Sequence, residues 1–143
     1  MNKTITISPA TREECDVVVQ GLLDYNLQLI PQITKEKWVR VELAAKNEKD
    51  EIIGGAIGIV GYWGGLDINI LWVREEYRGS GVGRSLLERI EAEGRKHEAT
   101  LSMLSTFDFQ ALDFYTRNGY TVYAEHHGFP EGHTRYYLEK RFK

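Results

Sequence analysis

The sequence predicts a mixed α/β domain, in which strands and helices share one chain of 143 residues. Two apolar stretches, residues 39–46 and 52–63, flank a polar turn and predict a β-hairpin. Residues 69–84 pass from a short apolar strand through a glycine-rich turn into a helical pattern. One further strand, one helix and two final strands are predicted beyond this stretch. This order of elements is typical of a sheet with helices packed against it.

The length and charge of the chain limit the classes of function that it can have. A chain of 143 residues is predicted to form one domain, residues 1–143, with room for a buried core. The net charge of −3 gives no electrostatic case for binding nucleic acid or an anionic membrane. No apolar run is long enough to span a bilayer and no signal-peptide pattern opens the chain, which favours a cytoplasmic protein. The single cysteine, Cys15, excludes an internal disulfide.

The N-terminal part of the chain predicts a strand followed by a long helix. Residues 4–7 alternate in the manner of a strand. Thr11 followed by Glu14 is a capping-box signature for a helix that closes before Pro31. The apolar face of that helix contains Val18, Leu22, Tyr25 and Leu29. Residues 32–38 are predicted to form a short helix or a loop.

The glycine-rich turn at residues 78–83 precedes a helix whose apolar face repeats every four residues. That face contains Val82, Leu86, Ile90 and Gly94. The first N–H groups of a helix have no intrahelical partner, and the helix dipole adds partial positive charge there. Glycines let an anion approach this backbone without meeting a Cβ atom, and Arg78 and Arg84 add fixed positive charge. The stretch therefore predicts a site for a phosphate or a pyrophosphate.

Other phosphate-binding motifs fit this turn less well. A P-loop requires a glycine at position 78 and a lysine at position 84, and both positions are arginine. A dinucleotide fingerprint requires a glycine at position 84 and lies early in a βαβ unit, whereas this turn lies past mid-chain. The pattern Arg/Gln-x-x-Gly-x-Gly/Ala is satisfied by Arg78, Gly81 and Gly83. With the Leu-Trp-Val strand before it, the turn resembles the acetyl-coenzyme A pyrophosphate loop of the GNAT superfamily of N-acetyltransferases; a turn that only starts a helix is the simpler alternative.

The remaining elements follow in the order typical of that family. A turn at residues 63–66 leads into the strand that contains Leu71. Residues 100–106 predict a buried strand that lies parallel to the Leu71 strand through a right-handed crossover. A helix is predicted for residues 109–118. Two final strands are predicted at residues 120–125 and 135–142, connected by residues 126–133.

A second motif, Asp108-x-x-Ala111-x-x-x-Tyr115-x-x-x-Gly119-Tyr120, resembles the family's other signature. In that signature an Asn leads a helix that carries Ala and Tyr and ends in Gly followed by an aromatic residue. Ala111 and Tyr115 are four residues apart and share a helix face. Such residues are more often plain core residues when a helix is taken alone. Because both motifs occur in the right order, the chain is identified as a member of the GNAT superfamily, of a small single-domain bacterial type with unassigned substrate.

The resemblance extends over most of the chain and implies a fold and an activity. The fold would be a central mixed, mostly antiparallel sheet of about six to seven strands, flanked by about four helices. Two parallel strands would splay apart to form the acetyl-coenzyme A cleft. The activity would be transfer of an acetyl group to the primary amine of a small molecule or a protein, by direct attack in a ternary complex. Dimers are common in such families, so a homodimer is a candidate assembly.

The resemblance also implies which residues would bind acetyl-coenzyme A. The implied set is Leu71, Trp72, Val73, Arg78, Gly79, Ser80, Gly81, Val82, Gly83, Arg84, Asp108 and Ala111. Backbone groups of Leu71 and Val73 would pair with the pantetheine amides, and the amides of residues 78–84 would hold the pyrophosphate. A small residue at position 111 would let the pantetheine arm pass. Asp108 replaces the usual Asn, and we expect it to serve mainly as a helix N-cap.

The implied chemistry needs an acid, a base and an oxyanion donor. Tyr115 is the expected general acid, and the backbone N–H near Val73 is the expected oxyanion donor. The base is less obvious, because position 69, where the family often has a carboxylate, is Asn. Asp67 is the nearest replacement on the same strand face. The alternatives are His126, His127, His133, a water relay or an amine that is already neutral.

Several further expectations complete the sequence-based hypothesis. Tyr62, Trp63, Trp72 and Tyr77 are candidates for an acceptor cleft or an interface, with Trp63 balanced between the cleft and the core. The spacing of His, Asp and Glu predicts no metal site. The absent carboxylate at position 69 leaves a non-catalytic sensor of acyl-coenzyme A as the alternative function. A nucleotide-binding switch is disfavoured by the arginines at positions 78 and 84.

Overall fold

The computed structural model describes residues 3–143, which form two compact units that meet in sequence between Gln32 and Ile33. The first unit contains helix α1, Arg12–Leu29. The second contains strands β1 to β6, a short 3₁₀ helix, Glu75–Tyr77, and helices α2 and α3. The strands are Trp38–Lys46, Ile52–Gly61, Gly65–Val73, Leu101–Phe107, Thr121–His127 and Thr134–Arg141, and the two helices are Val82–Lys96 and Leu112–Arg117. None of the helices in residues 3–143 is both long and apolar enough to cross a membrane.

Helix α1 begins at the capping box that the sequence predicts. The backbone N–H of Thr11 donates to the Glu14 carboxylate at 2.8 Å, and the Glu14 N–H donates to the Thr11 hydroxyl at 3.2 Å. Each side chain therefore satisfies a backbone donor that the first helical turn leaves without a partner. The strand predicted at residues 4–7 is wrong, because that segment is neither helix nor strand. Alternation of side chains makes a strand only where a neighbouring strand accepts its backbone hydrogen bonds.

The second unit is built on one six-stranded sheet with the order β1-β2-β3-β4-β6-β5. Every neighbouring pair is antiparallel except β3 and β4, which run parallel through the crossover helix α2. The predicted hairpin is present as β1 and β2, and the predicted parallel strand is present as β4. The mixed, mostly antiparallel sheet with flanking helices is thereby confirmed.

The parallel pair is hydrogen-bonded over only part of its length. Gly65, Leu66 and Asp67 pair with residues of β4, and beyond Asp67 the two strands have no further paired residues. The other edge of β3 stays paired with β2 as far as Val73. The register between β2 and β3 shifts at Asn69, which is the extra residue of a β-bulge. The strands therefore splay apart toward their C-terminal ends, as the resemblance implies.

Helix α2 covers one face of this sheet and closes the main core. Its buried residues include Leu86, Ile90 and Gly94, which confirms the predicted four-residue repeat. A Cβ atom on Gly94 would lie 2.9 Å from a methyl group of Leu66, a fully buried residue of β3. The glycine thus lets the helix approach the sheet closely, immediately beside the paired part of β3.

A buried polar network connects this helix with the C-terminal part of the chain. The Tyr120 hydroxyl lies 2.9 Å from the Glu91 carboxylate and 2.8 Å from the Ser102 hydroxyl. Lys140 donates to the other Glu91 oxygen at 2.9 Å and to the carbonyl of Asn118 at 3.1 Å. Glu91 is on α2, Ser102 on β4 and Lys140 on β6, while Asn118 ends α3. The network therefore fixes the end of α3 against α2 through paired, desolvated groups.

Removal of the Tyr120 hydroxyl is expected to destabilise the second unit. Tyr120 is 3% exposed, so Tyr120→Phe leaves a buried carboxylate oxygen and a buried hydroxyl without their shared partner. The expected loss in the free energy of unfolding is about 1–3 kcal/mol, measured by urea titration. Tyr123→Phe is the matched control, because Tyr123 is 58% exposed. A Tyr120→Phe variant as stable as this control would show that the network does not contribute to stability.

Candidate active site

The glycine-rich turn lies at the N-terminus of α2 and leaves its first amides open. Gly79 and Gly81 have positive φ angles of 78° and 91°, and no atom lies within 4 Å of a Cβ built at either position. Gly81 is the N-cap of α2 and has no side chain to bond the first amides. Within the described chain, no protein group is hydrogen-bonded to the N–H groups of residues 79–84. The turn thus presents unpaired donors and the positive end of the helix dipole to the same space.

This space is a cavity of about 990 Å³ between the splayed strands. Its walls come from the C-terminal halves of β3 and β4, the turn before α2, and α3 with the segment that precedes it. The lining residues are Ile68, Asn69, Ile70, Leu71, Trp72, Val73, Arg78, Gly79, Gly81, Gly83, Arg84, Leu104, Ser105, Thr106, Phe109, Gln110, Ala111, Phe114, Tyr115, Arg117 and Asn118. The two sequence motifs therefore meet in one cavity.

The charge of this cavity is positive. Its lining contains Arg78, Arg84 and Arg117, and no carboxylate or imidazole is found among the described residues that line it. The Arg78 Nε donates to the carbonyl of Val73 at 2.8 Å, and the Arg84 Nε donates to Glu88 at 2.9 Å. A cavity with three guanidinium groups and open helix amides is suited to an anionic ligand.

The edge of β3 that faces the cavity carries backbone groups without a strand partner. The Arg74 N–H donates to the Ile53 carbonyl of β2 at 2.7 Å. Alternate residues of an antiparallel strand direct their backbone groups to the same side, so Leu71 and Val73 direct theirs away from β2, into the splay. The Arg78 bond to the Val73 carbonyl agrees with this direction. An extended ligand with amide groups could pair with this edge as an added strand would.

Tyr115 lies on α3 and is one of the residues that line the cavity. The residue is 7% exposed and contacts the ring of Tyr120 at a centroid distance of 5.9 Å. Burial raises the pKa of the Tyr115 phenol from 10.0 to about 12. Within the described residues its hydroxyl has no hydrogen-bond partner. It is therefore a neutral donor at physiological pH, available to a ligand in the cavity.

The segment between β4 and α3 is held by Gln110 and Thr106. The Gln110 side-chain oxygen accepts from the Phe107 N–H at 2.9 Å, and the Thr106 hydroxyl accepts from the Ala111 N–H at 3.3 Å. These bonds keep residues 108–111 in a turn, so α3 begins at Leu112 and not at residue 109 as predicted. Ala111 is the N-cap of α3 and lines the cavity, where its methyl group leaves space beside Tyr115.

The expectation that Asp108 caps this helix is wrong. Its carboxylate accepts from His133 Nδ1 at 2.9 Å and from the Thr134 N–H at 3.0 Å. Loss of solvation raises the pKa of Asp108, but these hydrogen bonds outweigh it and hold the pKa below its ordinary value. Asp108 is not part of the cavity lining, so the residue predicted to bind the coenzyme connects the turn to β6 instead. A partner 26 positions away in sequence is not visible in the local motif.

The candidate bases are placed outside the cavity lining. Asp67 lies in the paired part of β3, opposite Met103, and its side chain is exposed. Asn69 lines the cavity at the bulge. His126 and His127 are in β5, and His133 precedes β6. His133 contacts the lining residue Phe109 at a ring-centroid distance of 5.1 Å, but it is not itself among the described residues that line the cavity. The structure thus brings Tyr115 and the glycine turn to one cavity, whereas Asp67 lies in the paired part of β3, outside the cavity lining.

The predicted aromatic residues divide between the cavity and other regions. Trp72 lines the cavity. Trp63 precedes β3, at the end opposite to the splay, where its ring contacts Tyr62. Tyr77 accepts from the Asn47 side chain at 3.1 Å and lies under the guanidinium of Arg74. Trp63, a candidate for either the cleft or the core, is not among the described residues that line the cavity, and it is 41% exposed.

Several lining residues were missed by the sequence interpretation. They occupy unassigned positions around the second motif: Ser105, Thr106, Phe109, Gln110, Phe114, Arg117 and Asn118. The alternation along β4 and the helical repeat around Tyr115 mark which of these share a surface. That signal was present, but it does not distinguish a cavity wall from a packed core.

The fold and cavity define a class of protein in which open helix amides and a free strand edge meet in the opening of a splayed parallel pair. The sequence matches the family described as acetyltransferase (GNAT) domain over residues 38–122. The chain therefore belongs to the GNAT acetyltransferase family.

Similar proteins agree with this assignment. Blasticidin-S acetyltransferase of Streptomyces morookaense is 39% identical over 97 residues, which cover 67% of this chain and 71% of that protein. The crystal structure of an acetyltransferase from Bacillus cereus ATCC 14579 superposes with a TM-score of 0.85 and 34% identity, covering 96% of this chain and 98% of that one. An aminoglycoside 6'-N-acetyltransferase complexed with coenzyme A has the same fold, with a TM-score of 0.64, 19% identity and coverage of 71% and 72%.

The buried Tyr115 is expected to make stability depend on alkaline pH. Its pKa is about 12 in the folded protein and 10.0 when unperturbed, so the unfolded chain loses this proton first as pH rises. The neutral phenol therefore contributes stability that is complete below pH 10 and is lost as pH rises toward 12. We expect Tyr115→Phe to show a shallower fall in unfolding free energy over this range, measured by urea titration at successive pH values. The exposed-site control Tyr123→Phe should keep the wild-type slope; equal slopes for wild type and Tyr115→Phe would contradict the assigned burial.

Proposed function

We propose that the chain is an acetyl-coenzyme A-dependent N-acetyltransferase that acts on a primary amine. The observation that carries this proposal is the single cavity that joins open helix amides, the free edge of β3 and the neutral hydroxyl of Tyr115. The family assignment and the coenzyme A bound by a protein of the same fold support it. The Streptomyces relative is named for blasticidin S, which favours a small-molecule amine over a protein amine as acceptor.

The donor would lie across the cavity from the glycine turn to Tyr115. Its pyrophosphate would accept from the amides of residues 79–84, with Arg84 and Arg117 adding positive charge. Its pantetheine amides would pair with the backbone of Leu71 and Val73 along the open edge of β3. Arg78 would have a different role from Arg84 and Arg117, because its Nε already donates to the Val73 carbonyl. We infer that Arg78 fixes the end of β3 through this hydrogen bond and also adds positive charge near the pyrophosphate.

The reaction would proceed by direct attack of a neutral amine on the thioester carbonyl. A nitrogen–carbon bond forms, the carbon–sulfur bond breaks, and the sulfur leaves as a thiolate that takes up a proton. A backbone N–H near Val73, at the open edge of β3, would stabilise the negative oxygen of the tetrahedral intermediate. The Tyr115 hydroxyl would donate a hydrogen bond to the departing sulfur.

The raised pKa of Tyr115 decides what kind of donor it can be. A pKa of about 12 keeps the phenol protonated, so the donor is always present. An ordinary thiol has a pKa of about 8.5, so complete transfer of the phenol proton to a thiolate costs about 5 kcal/mol. Tyr115 therefore stabilises the leaving thiolate mainly through the hydrogen bond, and the thiolate is finally protonated with help from solvent.

Asp67 is proposed as the acceptor of the amine proton, reached through water. It lies on β3 on the same face as the exposed side chains of Ile70 and Trp72, three and five positions further along the strand. The absence of carboxylates and imidazoles from the cavity lining, within the described residues, favours the second candidate function, a sensor that binds acyl-coenzyme A without turnover. The two candidates are distinguished by release of free thiol.

Binding of the donor is the first quantity to measure. We expect saturable binding of acetyl-coenzyme A to the wild type by calorimetry, and at least tenfold weaker binding to Gly81→Glu. The new carboxylate would stand where the phosphates approach the open amides. Gly132→Glu is the control, because Gly132 has a similar φ of 80°, also has nothing within 4 Å of an added Cβ, and lies in the β5–β6 connection. The absence of wild-type binding would contradict both candidate functions.

Turnover tests the role of Tyr115 separately. We expect Tyr115→Phe to retain the affinity for acetyl-coenzyme A and to lower kcat about 10–100-fold, measured by free-thiol release with an amine panel. The reason is that the phenol contacts the leaving sulfur only as negative charge develops there.

The same assay contains the controls for this prediction. Tyr123→Phe is the control for loss of a phenol hydroxyl outside the cavity lining, and it should preserve the wild-type kcat. Asp67→Asn is expected to lower kcat/KM most at the acidic end of the pH profile, where an acceptor of the amine proton matters most. Unchanged kcat in Tyr115→Phe would exclude Tyr115 as the hydrogen-bond donor to the leaving sulfur. If no amine of the panel caused release of free thiol, the result would favour the sensor.

A further inference from the structure

Arg135, whose hydrogen-bond partner Ser105 lines the cavity, has no negative partner among the residues that the structure describes. Arg135, on β6, donates from Nε and Nη2 to the Ser105 hydroxyl at 3.0 and 2.7 Å. Its guanidinium carbon lies 5.4 Å from the ring centroid of Phe107 and 5.1 Å from that of Tyr137. Throughout residues 3–143, no carboxylate is within ion-pair distance of this side chain, although it is half-buried. A guanidinium is always charged, so this charge is held by two rings and one neutral oxygen.

Other arginines of the same sheet have a carboxylate nearby. Arg40 lies 3.6 Å from Glu42, and Arg141 lies 3.4 Å from Glu139. Both of these arginines are more exposed than Arg135, so the half-buried one is the one that lacks a counter-ion. A partly desolvated charge gains more from an anionic partner than an exposed one does. The arrangement therefore favours an anion that is supplied from outside the protein.

The position of Arg135 is beside the reacting end of the proposed site. Leu104, Ser105 and Thr106 all belong to the cavity lining, but Leu104 and Thr106 are buried whereas Ser105 is half-buried. Because side chains alternate along a strand, Ser105 lies on the face opposite to α2 and its phosphate-binding turn. Arg135 is paired in register with Phe107, two residues further along the same face. A donor bound over the turn and reaching through the splay would meet its acceptor beside this group.

The free edge of the guanidinium fits a carboxylate. A guanidinium has five N–H donors, and Ser105 takes one from Nε and one from Nη2. The edge formed by Nη1 and the second Nη2 hydrogen is left, and two parallel N–H bonds from such an edge match the two oxygens of a carboxylate. The Phe107 and Tyr137 rings restrict the plane of the guanidinium, so little side-chain freedom is lost on binding.

We infer that Arg135 binds a carboxylate of the acceptor, so the acceptor is an amine that also carries a carboxylate group. The inference rests on the proposed function for the position of the acceptor, and it deepens that function by stating a substrate class. Ser105 positions the guanidinium, and Arg135 determines specificity without contact to the reacting atoms.

The test compares amino acids with their carboxamides. A panel with spacers of increasing length is titrated by calorimetry into protein saturated with coenzyme A, and acetyl transfer is measured at equal fractions of neutral amine. We expect the wild type to bind the best acid at least tenfold more tightly than its carboxamide. Arg135→Gln should bind both equally, through weaker binding of the acid alone. Arg141→Gln, a change on the same strand and face, should keep the wild-type preference.

The outcomes separate this inference from the proposed function. A wild type that binds no acid better than its carboxamide overturns the inference, and acetyl transfer to either compound then still supports the proposed function. Preferential binding of acids without acetyl transfer contradicts the proposed function and leaves the carboxylate site standing. Arg135→Lys retains the positive charge but lacks the two parallel N–H donors of a guanidinium. It should therefore show a preference for the acid over the carboxamide that lies between those of the wild type and Arg135→Gln. The wild-type comparison needs no variant, so a variant that fails to fold does not remove the test.

Discussion

The organisation of this protein depends on how early β3 and β4 stop pairing. Their hydrogen bonds end at Asp67 and Met103, although both strands continue. Backbone groups at an open edge require partners, since leaving them buried and unsatisfied costs about 1–3 kcal/mol each. Here the edge faces a cavity of about 990 Å³ instead of another strand. A ligand with amide groups would supply the missing partners, as in the proposed function, so the feature that weakens the sheet would also create the binding site.

A sheet that opens in this way needs other contacts to hold the two sides of the opening together. The Glu91 network provides such contacts, because it joins α2 on one side of the opening to Lys140 and the end of α3 on the other. Buried charges are costly unless they are paired and hydrogen-bonded, and Glu91 accepts from both Lys140 and Tyr120. The glycine-rich turn and Tyr115 are therefore held at a fixed separation across the splay, as a ligand that contacts both would require.

The features that could be predicted from the sequence are those that local chemistry determines. The capping box at Thr11 and the helix that begins after Gly81 each depend on a few neighbouring residues. The features that could not be predicted depend on distant partners. Asp108 has the local pattern of a cap, but His133 and Thr134 bind its carboxylate. Arg135 has no local pattern at all, since its partner Ser105 is 30 positions away and appears only when β4 and β6 pair.

The distribution of charge also bears on why the site can manage without a base in its wall. Arg78 and Arg84 belong to the glycine-rich turn and the start of α2, where phosphates would neutralise them, and Arg135 lies where a carboxylate would do the same. Apart from Arg117, the other polar side chains of the described lining are uncharged: Asn69, Ser105, Thr106, Gln110, Tyr115 and Asn118. In the proposed reaction, an ammonium ion that entered the cavity would meet three arginines and no carboxylate of the described lining, so its pKa would fall and the neutral amine would be favoured. The proton would then be lost mainly as the amine enters, and a distant acceptor such as Asp67, reached through water, would be sufficient.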